Sequence, residues 1–264
     1  MAKVATSLLR MTNMILVRLR ETTVSTVTTS GITAHASLAG TAQTPLYVDT
    51  IVRLINDAKT EVEEAYDWLK LQQTISVATS AGAITHTIAD SGTMTARQSG
   101  DMRSGDTQEY TSARTKVLSV WNLTTDNYLV ARPYEWMLKK HNEGVISGES
   151  GEPLYFSVGP PGGIRDSLSL KIYPKSDAAY ELEVNMINPQ EDLHADDDEF
   201  LAPYHPIYLR ALALAIRERG EDEGEQYSDV MRSYEQALGS AMAYEQEHRH
   251  VGLGGGDWIV HGDF

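Results

Sequence analysis

The chain has 264 residues, no cysteine and a formal net charge of −15, with 37 carboxylates against 22 Lys and Arg side chains. That length holds one large domain or two small ones. The missing thiols exclude disulfides, zinc ribbons and cysteine nucleophiles, and the acidity opposes free binding to nucleic acid, which needs clustered Lys and Arg.

A first helix is expected from Val4 to Arg20, with Leu8, Leu9, Met11, Ile15, Leu16 and Leu19 on its apolar side. Arg and Thr interrupt it too often for a signal peptide, and no run in the chain reaches the ~18 apolar residues of a membrane span. Arg10, Arg18 and Arg20 give it a basic flank, unusual in so acidic a protein. That flank is either a solvated face or a contact for the acidic surface of a neighbouring copy or partner. From Glu21 to Thr44 the chain turns to Thr, Ser, Gly and Ala, too poor in large side chains for a buried helix. A lone His35 in such a loop reads as a surface residue.

The segment Pro45 to Leu71 carries the longest helical pattern, roughly 40 Å at ~1.5 Å per residue. Val48, Ile51, Val52, Ile55, Ala58, Val62, Ala65, Tyr66 and Leu69 make one apolar stripe. Asp49, Arg53, Asp57, Lys59, Glu61, Glu63, Glu64 and Asp67 fall on its other faces. Thr44 is the expected N-cap, with Pro45 at the first helical position.

Strands follow. The stretch TISVATSAGAITHTIA reads as a hairpin turning at Ser80-Ala81-Gly82, with Ile75, Val77, Ile84 and Ile88 alternating. The polar, Gly-rich segment 90–113 reads as a long exposed loop. KVLSVWNL resumes a strand to Trp121, and Pro133 opens a short helix anchored by Tyr134, Trp136 and Met137. PLYFSV is a strand ended by GPPGG. Leu168, Leu170 and Ile172 then alternate, as do Leu182, Val184 and Met186 after a turn at Lys175-Ser176-Asp177. The last two strands are expected to pair antiparallel, in a sheet with one covered face.

After the acidic run Glu191 to Glu199, Pro206 begins an Ala- and Leu-rich helix ended by Gly220, and a last helix spans about Glu225 to His248. Tyr227, Met231, Tyr234, Leu238, Ala241 and Met242 mark its inner side. Beyond it, Gly254-Gly255-Gly256 precede Asp257, Trp258, Ile259, Val260 and Phe264. Consecutive glycines are costly to order, so large apolar residues past them suit a tail that docks on another protein. The other reading is a tail folded back on its own domain.

No motif of a known chemistry is present. The chain lacks a P-loop, a His-Glu-x-x-His pair and a nucleophile elbow, and GPPGG puts prolines where a dinucleotide loop needs N–H groups. Asp196-Asp197-Asp198-Glu199 lacks the glycine and the terminal glutamate of an EF-hand loop. It reads as a solvated loop or a charged channel wall. His248, His250 and His261 match no standard metal spacing. No metal and no cofactor is expected.

Four stretches carry a resemblance: IVRLINDAKTEVEEAYDWLKLQ, VARPYEWMLKKHNE, LSLKIYPKSDAAYELEVNMINP and FLAPYHPIYLRALALAIRERGED. The best marks are Arg132, Pro133 and Trp136; Tyr173-Pro174 before a turn; and the helix start from Pro203 to Leu212. Together they resemble the portal-adaptor family of short-tailed bacteriophages, related to their tubular gatekeeper tail proteins. The resemblance implies an α+β fold: a bundle of about four helices with an inserted antiparallel β region and a flexible C-terminal tail. Expected segments are 1–72 and 191–250 for the helical domain, 73–190 for the β insertion and 251–264 for the tail.

The resemblance further implies a virion protein made in the host cytoplasm, without enzyme activity or membrane contact. It would form a homo-oligomeric ring of about twelve copies between the portal and the tail nozzle. Residues 254–260 and Phe264 would bind the portal, and double-stranded DNA would pass the lumen without sequence-specific contact. Such a ring would carry on the order of −180 charges, which keeps the DNA backbone from sticking. The alternative is a tail-associated protein that binds or depolymerises host glycans, which needs two carboxyl groups facing across about 5 to 9 Å. A bacterial ring-forming protein is a third reading.

Overall fold

Ser7 starts the first helix. It is extended (φ −83°, ψ 163°), its Oγ accepts from the Arg10 N–H at 3.4 Å, and α1 runs Leu8–Arg18. That start is later than the expected Val4, because the serine takes the cap. Residues 6–27, 45–88, 114–147, 149–159, 168–220 and 224–253 are described by the computed structural model. Of the loop expected over 21–44 the part from residue 28 lies outside them, as do the loop expected over 90–113, His35, His261, Pro160 to Gly163 of the breaker, and the tail from Gly254.

By contacts the chain divides into two compact units. One comprises Met1–Lys70 with Glu191–Phe264, the other Leu71–Gln190. The second is therefore inserted in the sequence of the first.

In the first unit, α1 buries Leu8, Met11, Ile15 and Leu16. Helix α2 spans Pro45–Ala65 and stops short of Leu71. The cause is Trp68, which is buried and donates its Nε1–H to the Val62 carbonyl at 2.7 Å. The indole engages a carbonyl of the last turn, and a 3-10 turn follows at Leu69–Leu71. Trp68 and Leu71 are buried in consequence, while Ala65 and Leu69 are exposed. Lys59 and Glu63, placed on outer faces by periodicity, are 0% and 4% exposed and form an i,i+4 ion pair at 3.7 Å.

The second unit holds the strands. They are β1 (Gln72–Ala78), β2 (Thr85–Thr87), β3 (Lys116–Asn122), β4 (Asn127–Tyr128) and β5 (Val130–Ala131). Helix α3 (Tyr134–Ser147) comes next. Strands β6 (Ser150–Gly151), β7 (Tyr155–Gly159), β8 (Ser169–Tyr173), β9 (Lys175–Ser176) and β10 (Glu181–Ile187) complete it. One sheet has the order β1-β10-β3-β4, a second β2-β8-β7-β5, and β6 pairs with β9.

Neither expected hairpin forms. β1 pairs antiparallel with β10, from Gln72 opposite Ile187 to Ala78 opposite Glu181, while β2 pairs with β8. Between β1 and β2 the Gly82 N–H donates to the Ser176 carbonyl at 2.7 Å, with Gly82 at φ +80°. This turn carries the chain from one sheet to the other. β8 pairs with β7 and β2, and β10 with β1 and β3. The expected faces nonetheless hold. Leu168, Leu170 and Ile172 share one buried cluster with Leu182, Val184 and Met186, joined by Ile75, Val77 and Val120. Side chains of both four-stranded sheets thus build one core.

Back in the first unit, α4 runs Tyr204–Glu218. Its residues Ala211 to Ile216 are all buried, so every face has a neighbour, and it packs on α2, α1 and α5. It begins before the expected Pro206 and ends in an αL Gly220 at φ +77° whose N–H donates to the Arg217 carbonyl. Helix α5 spans Glu225–Leu253, beyond the expected His248. Of its described side chains Val230 is buried, whereas Tyr227, Met231, Tyr234 and Leu238 are half-buried.

Two predictions follow from packing. A Cβ built on Gly239, inside α5, meets nothing within 4 Å. Gly239→Ala is expected to raise stability by about 0.5–1 kcal/mol in urea unfolding, through the lost freedom of the unfolded chain. Burial lowers the pKa of His86 from its usual 6.5, and burial with Lys171 lowers that of His141. Folding thus favours both neutral imidazoles. The unfolded chain binds more protons between the folded and unfolded pKa values, so this stability is present above about pH 6.5 and is lost as pH falls. The inserted unit is expected to melt lower at pH 5 than at pH 7. His86→Gln with His141→Gln should shrink that difference in a thermal scan.

Candidate interaction surfaces

The acidic run is a fastening. Asn56 of α2 donates its Nδ2–H to the Leu193 carbonyl at 3.1 Å and accepts the Leu193 N–H on Oδ1 at 2.9 Å. Lys59 Nζ donates to the Glu191 carbonyl at 2.6 Å. Asp198 accepts the N–H groups of His194 and Ala195, at 2.6 and 2.7 Å, and so shapes its own loop. The carbonyls of Asp198 and Asp196 accept from Leu8 and Leu9, the first N–H groups of α1. Asp196 Oδ1 also accepts the Val27 N–H at 2.5 Å. Two of these carboxylates are therefore spent on backbone. Among the described residues no three His, Asp or Glu side chains are placed to hold a metal.

The start of the Thr-rich stretch is pinned as well. Asn13 donates to the Val24 carbonyl and accepts the Val24 N–H, at 3.0 and 2.8 Å. Arg219 donates to the Leu19 carbonyl and pairs with Glu21.

The basic flank borders an open cleft of about 1350 Å³. Arg10, Arg18 and Arg20 line it with Met14 and Val17 of α1, Tyr208 of α4, Arg219 and Gln226. A smaller hollow continues it over Leu209 and Leu212 to Asp229 and Val230 of α5, again touching Arg18 and Tyr208. α4 is the floor and α1 and α5 are the walls. Val17 is 61% exposed at this rim. Arg20 holds φ +62° at the end of α1, where its N–H donates to Val17 and that of Glu21 to Leu16. This is the cap that glycine usually makes, occupied here by a cation.

The Arg132-Pro133-x-x-Trp136 segment serves the inserted unit. The Arg132 N–H donates to the Phe156 carbonyl at 2.8 Å, and its guanidinium lies 5.6 and 5.3 Å from the ring centres of Trp136 and Tyr155. Trp136 meets Tyr155 and Tyr173 edge-on, at 5.2 and 5.9 Å. Glu149 accepts from the Tyr173 hydroxyl, and this bond pushes the phenol up to about 12. The motif thereby fastens α3 to β7 and β8. Periodicity located its residues but showed nothing of this stacking, which joins three separate segments.

The expected portal-binding residues Gly254, Gly255, Gly256, Asp257, Trp258, Ile259, Val260 and Phe264 all lie outside the described residues.

The described residues thus form a helical unit with a charged cleft and a β insertion locked by aromatic packing. The chain belongs to the SU10 adaptor protein family, whose family model matches residues 15–254. No curated protein matches it. Membership makes it a structural adaptor of the bacteriophage head–tail connection, with portal and tail components as its class of partner.

The fastening at Lys59 is testable. Lys59→Ala takes the buried ammonium away from Glu63 and from the Glu191 carbonyl and is expected to cost about 3–5 kcal/mol. Lys59→Met with Glu63→Leu should cost far less, because no lone charge is left inside. Urea unfolding of both variants checks the order.

Proposed function

We propose that the chain assembles into a ring of about twelve copies beneath the phage portal, bridging it to the tail nozzle and lining the DNA exit channel. The observation that carries this reading is the family match over residues 15–254. The helices of the first unit act as the bundle of the ring body. The chain is made in the host cytoplasm and acts in the virion, during genome ejection. The excess of 37 carboxylates over 22 basic side chains favours passage of DNA without adhesion.

The match ends at Gly254, so the role of the tail rests on its own residues. We assign it portal docking, as a flexible strap. Triple glycine after a 29-residue helix, followed by Trp258, Ile259, Val260 and Phe264, puts a sticky segment on a tether.

Removal of residues 254–264 is expected to abolish co-sedimentation with purified portal rings while leaving the melting curve unchanged. Retained portal binding would overturn the docking role. Particle images of the complex should show about twelve copies per ring; an open filament or a dimer would overturn the ring.

A further inference from the structure

The cleft between α1 and α5 bears three arginines that have no ion-pair partner among the described residues, in a protein of charge −15. Arg10, Arg18 and Arg20 are all exposed, and their neighbour Val17 is 61% exposed. Arg20 keeps a left-handed backbone that residues with a side chain rarely adopt. The cleft sets these arginines beside Met14, Val17 and Tyr208, which suits an acidic helix, while Glu225 and Asp229 line the adjoining hollow.

The distal half of α5 has that character. From Glu235 to Glu247 it carries three carboxylates and no Lys or Arg. Glu235, Ala243 and Glu247 are exposed and fall within about a third of the helix circumference. α5 has 29 residues against 15 in α4, about 43 Å against about 22 Å, so its distal half runs past α4, and there Glu245 accepts the Leu69 N–H at 2.6 Å, leaving Glu235 and Glu247 for a neighbour. It cannot fill its own cleft. Gln226 and Glu247 sit on one continuous helix, about 30 Å apart.

We propose that the cleft receives the distal half of α5 from a second copy of this chain. The two surfaces differ, so the contact is head-to-tail, and a head-to-tail contact closes into a ring when its rotation allows. The inference rests on the ring reading above and names the surface that makes the ring. Arg10 and Arg18 face Glu235 and Glu247 of the neighbour, while Val17 meets Ala243.

The absence of cysteine gives a clean test. Full-length Val17→Cys and full-length Ala243→Cys are mixed and treated with a short bis-maleimide, alone and with portal rings added. A crosslinked dimer is expected in at least one of the two conditions. Its yield should be several-fold above that of Val17→Cys mixed with Leu118→Cys, an exposed site on the inserted unit. Arg10→Glu with Arg18→Glu should abolish the product, and Glu235→Arg with Glu247→Arg in the other partner should restore it. Melting curves verify that each variant folds.

Equal yields from the control pair, or indifference to the charge reversals, would overturn the proposal. So would absence of the product in both conditions. Portal binding without this crosslink sinks the interface alone; the crosslink without portal binding sustains the interface and sinks the portal reading.

Discussion

Two polar side chains of α2, Asn56 and Lys59, hold the chain at the point where it returns to the helical unit. That unit is built from two stretches, separated in sequence by the entire β insertion. Apolar burial alone would bring α4 against α2 in several registers, because the hydrophobic effect is not directional. A buried amide and a buried ammonium are different, since each costs free energy unless its partners are in place. Asn56 is satisfied when the peptide of Leu193 lies across it, donor to acceptor and acceptor to donor. Lys59 is satisfied when the Glu191 carbonyl comes within reach. The acidic run next to this clamp then takes the free N–H groups that begin α1. One short segment thereby ties α1 and α2 to the chain that leads into α4.

Position matters more than total for charge in this protein. An excess of carboxylates gives a surface that repels DNA and other acidic chains over most of its area. Within it, a few arginines gathered on α1 make one place where an acidic helix is attracted. A globally repulsive surface with a local exception suits an assembly protein, because it suppresses random association and leaves a single favoured contact. The inserted unit uses its cations differently. Arg132 lies against the rings of Trp136 and Tyr155, and Lys171 lies over Tyr134, 4.7 Å from the ring centre, so both serve internal order.

Errors in the sequence reading share one cause. Alternation along a strand reports which face is buried, and that was right for Leu170, Ile172, Leu182 and Val184. It carries nothing on which strand lies alongside. Neighbours in the chain are the usual partners, yet here β8 and β10 sit in different sheets and meet across the core. Lys59 and Glu63 were misplaced for a related reason. Charged residues on a helix are normally solvated, and the exception depends on a backbone carbonyl some 130 residues away. The basic flank was legible as composition. The walls that turn it into a cleft come from α4 and α5.

From the chain alone came the helices α1 to α5, the strands β1, β2, β3, β7, β8 and β10, the αL stop at Gly220, the buried faces of the strands and the family resemblance. Each of these is local, since it depends on side-chain period, on a turn residue or on a short motif. Tertiary structure decided the strand partners, the early end of α2 under Trp68 and the use of acidic residues as backbone clamps. It also made α4, with neighbours on every face, the centre of the helical unit. These features depend on groups that meet only after the chain has folded back on itself. No periodicity within a single segment can encode them.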